Sequence, residues 1–201
     1  MTNHAAENIL SIYERHADAF ATRRARTLQE KSWLDKFAQR LEPSATILDI
    51  GCGNGQPIAE YFVQRGFTLT GVDGAAAMIG RARTSFPQQR WFHQDMRQLR
   101  LEETFDGLLA WDSFFHLNQQ DQRAMFPIFA AHSHSGSLLM FTSGPDDGIA
   151  MGEFEGEPLF HASLSPGEYR ALLSDNGFEV IEVVFEDPDC TGHSVWLSQR
   201  G

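Results

Sequence analysis

From Thr46 onward, short apolar runs alternate with segments whose apolar residues recur at helical spacing. Thr46–Ile50, Phe67–Asp73, Phe105–Ala110 and Ser137–Thr142 have the composition of strands buried in a parallel sheet, and Trp91–Met96 reads as a further strand and its following loop. Helices are expected between them at Pro57–Gln64, Ala75–Thr84 and Gln119–Ala131, the last kinked or broken at Pro127. Such alternation implies a parallel sheet with helices on both faces. Upstream, Ile9, Ile12, Tyr13 and Phe20, then Leu34, Phe37 and Leu41, give two helices, Ala5–Ala21 and Thr27–Leu41. Downstream the alternation stops. Residues 143–164 read as a long loop of the kind used as a lid or binding segment. Ser165-Pro-Gly-Glu then caps a helix that Asn176-Gly177 ends. Phe178–Phe185 and Ser194–Ser198 follow as two strands with only a turn between them, so the sheet should finish in an antiparallel hairpin.

Composition narrows this to one domain. The chain has 201 residues, 42% of them hydrophobic, with no low-complexity run or linker to divide it. A net charge of −11 argues against nucleic acid as a partner, because phosphate contacts need clustered Lys and Arg. Cys52 and Cys190 lie far apart with no metal-ligand spacing, and His132 and His134 flank Ser133 without a third ligand, so no metal is expected. No stretch is apolar enough to span a bilayer, and there is no secretory hydrophobic region; a reducing cytoplasm is the expected location.

The chemistry concentrates at residues 49–57, Asp-Ile-Gly-Cys-Gly-Asn-Gly-Gln-Pro, directly after the first strand. Gly51, Gly53 and Gly55 permit positive φ and close approach of backbone to a ligand, and Pro57 suits a helix start. Strand, glycine turn and helix N-terminus together make a nucleotide-type site. A dinucleotide fingerprint would need its third glycine at position 56, which is Gln56. Some eighteen residues past Gly55, Asp73 ends the second strand, placed to accept hydrogen bonds from a ribose diol.

The D-x-G-x-G-x-G spacing from Asp49 to Gly55, the acid at Asp73, Asp95-Met96 after the third strand and the Ala110–Leu117 stretch resemble the class I S-adenosylmethionine (SAM)-dependent methyltransferases, small-molecule type. The terminal pair of strands fits that family's seven-stranded sheet, whereas dehydrogenases continue with parallel units. The resemblance covers residues 44–200, with its motifs in 47–117. It implies a three-layer α-β-α sandwich: a Rossmann-like core at 44–201 under an N-terminal helical segment at 1–43. It also implies SAM as cofactor, held by Asp49, Gly51, Cys52, Gly53, Gly55, Asp73, Gly74, Asp95, Met96 and Trp111. Asp73 would take the ribose and Asp95 the adenine amine, with Met96 beside the ring and Cys52 a small packing residue.

The family's chemistry belongs at the carboxyl end of the fourth strand. The loop there, Trp111-Asp-Ser-Phe-Phe-His-Leu, lacks the Asp/Asn-Pro-Pro-aromatic tract of nucleic-acid amino-methylating members, and Ala110–Leu117 instead resembles a stretch of the small-molecule members, which implies a small-molecule acceptor. Methyl transfer from a sulfonium asks the protein mainly to align the acceptor and accept its proton. His116 is the leading candidate base, with Asp112 second as a base or an amine anchor. Trp111, Phe114 and Phe115 are candidate acceptor walls or core residues, and His161 is a lesser base. Tyr13 and Trp33 are candidates to close over the cofactor, although core packing explains both equally. Five acids in 143–164 (Asp146, Asp147, Glu153, Glu155, Glu157) suit either a cationic acceptor or a solvated loop. Two other functions remain open at this level: a SAM-binding module without catalysis, and a nicotinamide-dependent oxidoreductase, which Gln56 and the terminal hairpin disfavour.

Overall fold

A computed structural model describes residues 2–23 and 28–201, with side chains from residue 5 onward. Its centre is a seven-stranded sheet in which β1 (Thr46–Ile50) lies between β2 (Thr68–Asp73) and β4 (Phe105–Ala110). β3 (Arg90–His93) extends the sheet beyond β2, and β5 (Ser133–Ser143) extends it beyond β4. All five are parallel. The far edge is formed by β9 (Ser194–Arg200), antiparallel to β5, and by β8 (Phe178–Val184), antiparallel to β9. The order β3-β2-β1-β4-β5-β9-β8 reverses direction at β1, where it steps across to β4.

Alternation along the strands divides the interior in two. Ile47, Leu69, Leu109, Met140 and Leu197 face one side. That side is covered by α4 (Lys31–Ala38), α5 (Ile58–Val63) and α6 (Ala76–Ser85) through Trp33, Phe37, Phe62, Ile79 and Ala82. Leu48, Val72, Leu108, Leu139, Phe141 and Trp196 face the other. There α7 (Gln119–Ala131) and α8 (Pro166–Asp175) supply Met125, Phe126, Phe129, Tyr169 and Leu173. The expected three-layer sandwich is present. Ser165 caps α8 by accepting the Glu168 N–H at 3.2 Å, and Gly177 leaves it at φ 74°.

Four expectations are corrected. α7 continues through Pro127, so the break expected there as an alternative to a kink does not occur; Met125, Phe126 and Phe129 are fully buried around it and hold the helix despite the missing donor. Residues 143–164 contain a β-hairpin, β6 (Gly148–Phe154) and β7 (Glu157–Ser163), paired antiparallel apart from the main sheet. Its buried Phe160 and Ala162 give it a core contact that a solvated loop lacks. The first N-terminal helix is three short ones, α1 (Thr2–Glu7), α2 (Ile9–Arg15) and α3 (Ala17–Arg23). The second is shorter than expected, starting at Lys31; its expected start at Thr27 lies outside the described residues.

The N-terminal helices lie across the carboxyl end of the sheet. Ile9 packs on Phe160 and Ala162 of the hairpin, and Ala17 on Ala75 and Met78 at the start of α6. Ion pairs tie the same elements: Glu157 meets Arg15 at 2.5 Å and His16 at 2.6 Å, and Glu155 meets Arg23 at 2.8 Å. Two of the five acids of this segment, Glu155 and Glu157, are therefore drawn into contacts with the helices, while Asp147 accepts from Gln119 at 2.6 Å.

Candidate active site

The cleft opens at the carboxyl ends of β1 and β4, where an open α/β sheet leaves a crevice. Three glycines shape its floor for different reasons. Gly51, Gly53 and Gly55 have φ of 77°, 54° and 79°. A Cβ on Gly51 would collide with the Ser113 Cβ at 2.3 Å, and one on Gly55 would press on the Trp91 ring at 3.0 Å. At Gly53 the nearest atom would be a Phe20 ring carbon at 3.5 Å, so that glycine faces open cleft. The turn is pinned to the sheet by the Gly51 and Cys52 N–H groups, which both donate to Val72 O, at 2.7 and 3.0 Å.

Asp73 ties this turn to the next loop. Its Oδ2 accepts the Gly53 N–H and its Oδ1 the Ala75 N–H, each at 2.8 Å. Burial raises the Asp73 carboxyl, while those two amides pull the other way. Two amides leave it acceptor capacity for further donors, since a carboxylate has about four acceptor sites, and the residue lines the cleft. Gly74 follows, its Cα against Leu10 of α2. After β3, Asp95 caps the turn Met96–Gln98 through the Arg97 N–H at 2.9 Å and pairs with the Arg97 guanidinium at 2.5 Å. Burial alone would raise its carboxyl, but Arg97 holds it below the ordinary value.

After β4 the chain turns at Asp112, a non-glycine residue at φ 47°, and its N–H donates to Thr142 Oγ1 at 2.9 Å. Ser113 Oγ donates to Ile50 O at 2.7 Å, joining the loops after β1 and β4. His116 ends a short 3-10 turn and is buried. Its Nδ1 lies 2.8 Å from Phe160 O, which only accepts, so Nδ1 carries the proton. Nε2 therefore accepts from the Tyr13 hydroxyl at 2.9 Å. Burial lowers this imidazole to about 3, with His161 and His193 adding repulsion. The imidazole is therefore not the ordinary, freely titrating one expected from the sequence: burial disfavours its protonated form, and both its nitrogens are engaged, Nε2 by Tyr13 and Nδ1 by Phe160 O.

Gly51, Gly53, Asp73, Gly74, Asp95 and Met96 line one half of the cleft, beside Leu10 and Met78. A second half is lined by Trp111, Phe115, His161 and His193, with Asp49, Cys52 and Gly55 at its base. Tyr13, Phe20, Asp112 and His116 border both halves, so the two meet in a throat beside Gly51 and Gly53. Trp111 is thus separated from Asp73 and Asp95 and is mostly core, exposing a rim to the second half. Phe114 is wholly core. Trp33 is buried away from the cleft, its Nε1–H donating to Asp187 at 2.8 Å. Burial, then the Asp49 and Asp73 charges, pushes the Cys52 thiol well above its ordinary value, which fits a packing residue.

His193 escaped the sequence reading, which took 186–192 as a bare hairpin turn. Its ring stacks on Phe115 at 5.4 Å and its Nε2 lies 3.5 Å from Asp112. His132 is structural, bonded to Ile128 O and the Leu101 N–H. Among the described residues no group of His, Cys, Asp and Glu could hold a metal ion, and no helix is long and apolar enough to cross a membrane.

Residues 20–183 match the family described as "Methyltransferase domain". An O-methyltransferase of Pyrenophora dematioidea is 29% identical over 157 residues, covering 72% of this chain and 58% of that protein. The chain thus spans little more than half the length of that relative. A SAM-bound amino pentose methyltransferase from Micromonospora echinaspora superposes with a TM-score of 0.74 at 22% identity, covering 92% of this chain and 96% of the other. The 1,6-didemethyltoxoflavin-N1-methyltransferase of Burkholderia thailandensis, bound to 1,6-didemethyltoxoflavin and S-adenosylhomocysteine, gives 0.76 at 16% identity, with coverages of 100% and 90%. At such identities the likeness is one of fold.

Proposed function

This chain belongs to the methyltransferase-domain family, and on that premise we propose that it transfers a methyl group from SAM to a small-molecule acceptor. One observation carries the reading: Asp73 and the open face of Gly53 meet at the topological switch point, joined by a 2.8 Å hydrogen bond. The adenosyl group lies against Gly51, Gly53 and Gly74, its ribose diol donates to the spare lone pairs of Asp73, and the adenine amine donates to Asp95 beside Met96. Asp49, Asp73 and Asp112 place carboxylates around the throat, a favourable field for a sulfonium cation, while the charge of Asp95 is balanced by Arg97.

The sulfonium methyl is then presented at the throat, to an acceptor in the half lined by Trp111, Phe115 and the histidines. Holding the two reactants in line supplies most of the rate, because the methyl group is already activated. Residues 1–43 act as a cap over the core at 44–201, with Tyr13 and Phe20 closing the throat. His116 fixes the Tyr13 hydroxyl from below, and Asp112 faces the reacting centre.

Two measurements test this reading. Calorimetric titration should give binding of SAM and S-adenosylhomocysteine without binding of NADH; the reverse would assign a nicotinamide enzyme. Incubation with [methyl-³H]SAM and a metabolite extract should label a small molecule. Cofactor binding without any labelled product would leave a binding module instead of an enzyme.

A further inference from the structure

The turn between β8 and β9 is more elaborately built than a strand connection requires. Asp187 is its hub: its N–H donates to His193 O and its carbonyl accepts the Gly192 N–H, both at 2.9 Å. Its carboxylate accepts the Asp189 N–H at 3.0 Å and the Trp33 indole N–H at 2.8 Å. Thr191 and Gly192 both have positive φ, 56° and 76°. This closed turn delivers His193 to the acceptor half of the cleft, stacked on Phe115, with Nε2 3.5 Å from Asp112. The His193 side chain keeps 33% of its exposure, so its second ring nitrogen is not enclosed in the core as those of His116 are.

The other two imidazoles at this half are more enclosed. His116 is buried with both nitrogens bonded. His161, whose ring is 5.1 Å from Phe115, is lowered by burial and by His193. At 3.5 Å the Asp112 carboxylate is within ion-pair reach of the His193 ring, and so stabilises the imidazolium that forms when the ring takes a proton.

We propose that His193 is the general base of the acceptor site and Asp112 its positioning residue, and that the acceptor group is a weakly acidic hydroxyl of the phenol type. The inference rests on the methyl-transfer reading above. As the acceptor oxygen attacks, its proton passes to the His193 nitrogen that does not face Asp112. An oxygen lone pair forms the O–CH₃ bond, and the S–CH₃ bond breaks with its electrons going to sulfur. The products are the methyl ether, neutral S-adenosylhomocysteine and an imidazolium held by Asp112. A neutral amine would attack through its own lone pair and would need no such pair behind it.

The test uses [methyl-³H]SAM with three probes: catechol, protonated at neutral pH; pentafluorophenol, already ionised there; and aniline. The wild-type protein should label both phenols. His193→Ala and His193→Gln should lose about 10²–10⁴-fold in kcat on catechol, and less than about tenfold on pentafluorophenol, for which no base is required. Added imidazole should restore catechol turnover to His193→Ala. Asp112→Asn should lower kcat with KM little changed, and the double variant should be no slower than His193→Ala alone, because Asp112 acts through the ring. S-adenosylhomocysteine affinity, read by calorimetry, and the melting temperature should stay near wild type in at least the Gln variant. Equal losses on both phenols, or a fast His193→Gln enzyme, overturn the base assignment. Labelling of aniline alone overturns the hydroxyl assignment. Tight S-adenosylhomocysteine binding with no transfer to the probes or to a metabolite extract removes the enzyme reading itself, and this proposal with it.

Discussion

The half of the cleft proposed to hold the cofactor takes Gly51, Gly53, Asp73, Gly74 and Asp95 from loops that each follow a strand of the parallel sheet. The acceptor half takes Tyr13 from a helix outside the core, His161 from a hairpin set apart from the sheet, and His193 from the last turn. The first half works largely through main chain: positive φ, amides and the carboxylate that binds them. The second works through side chains from remote segments, held by aromatic contacts and a few ion pairs. Strand ends fix atoms tightly, so the first half should tolerate almost no substitution. The second can be re-lined without disturbing the sheet, as an enzyme family that changes acceptors but keeps its cofactor requires.

The sharpest way to break this contrast is Gly53→Val. Its φ of 54° is strained for any side chain, by roughly 1–2 kcal/mol, and the new atoms would enter the cleft beside Phe20 instead of the core. We expect a folded protein with no measurable S-adenosylhomocysteine affinity; undiminished binding would refute the cofactor half. Gly51→Ala makes the control, since its Cβ meets Ser113 and should damage folding as well.

Asp73→Ala comes next. Charge-assisted hydrogen bonds contribute about 1.5–3 kcal/mol each, so affinity should fall at least about tenfold. Part of that loss comes from releasing the Gly53 and Ala75 amides. The drop should therefore be smaller, but not absent, for a 2′,3′-dideoxy analogue; an identical drop for both ligands would mean that Asp73 does not read the diol.

In the acceptor half the expected effect is on pH dependence. His116 is held neutral, with burial lowering it from 6.5 to about 3. Between those values the unfolded chain binds the proton and the folded one does not, so stability rises with pH. The contribution is complete above 6.5 and is lost as pH falls toward 3, by up to about 1.4 kcal/mol per pH unit. His116→Gln should flatten the fall in melting temperature across that window, whereas Asp73→Ala should not; equal slopes in wild type and His116→Gln would refute the buried neutral ring.

The smallest effect should follow Glu157→Gln, which releases Arg15 and His16 at the outer edge of the cap. Exposed pairs contribute little, so cofactor affinity should stay within about twofold. A larger loss would make the hairpin a direct participant in cofactor binding.

The sequence by itself determined the sheet, its antiparallel finish and the gathering of Gly51, Gly53, Asp73 and Asp95 along one half of the cleft. Those features are local: a five-residue apolar strand, a glycine turn and an acid one strand later are contiguous text, and the sheet register carries them to the same edge. Only the tertiary structure decided the rest. Pro127 reads as a helix breaker until the burial of Phe126 and Phe129 is known, and 143–164 reads as a loop until Phe160 is seen against Ile9. His116 reads as a titratable ring until the fold buries it, which lowers its pKa, and engages its two nitrogens with residues 103 and 44 positions away. His193 carried no sequence signal, because its partner Asp112 lies on another loop. Local conformation is set by neighbours along the chain, whereas protonation and side-chain contact are set by neighbours in space. Only the fold brings those neighbours together.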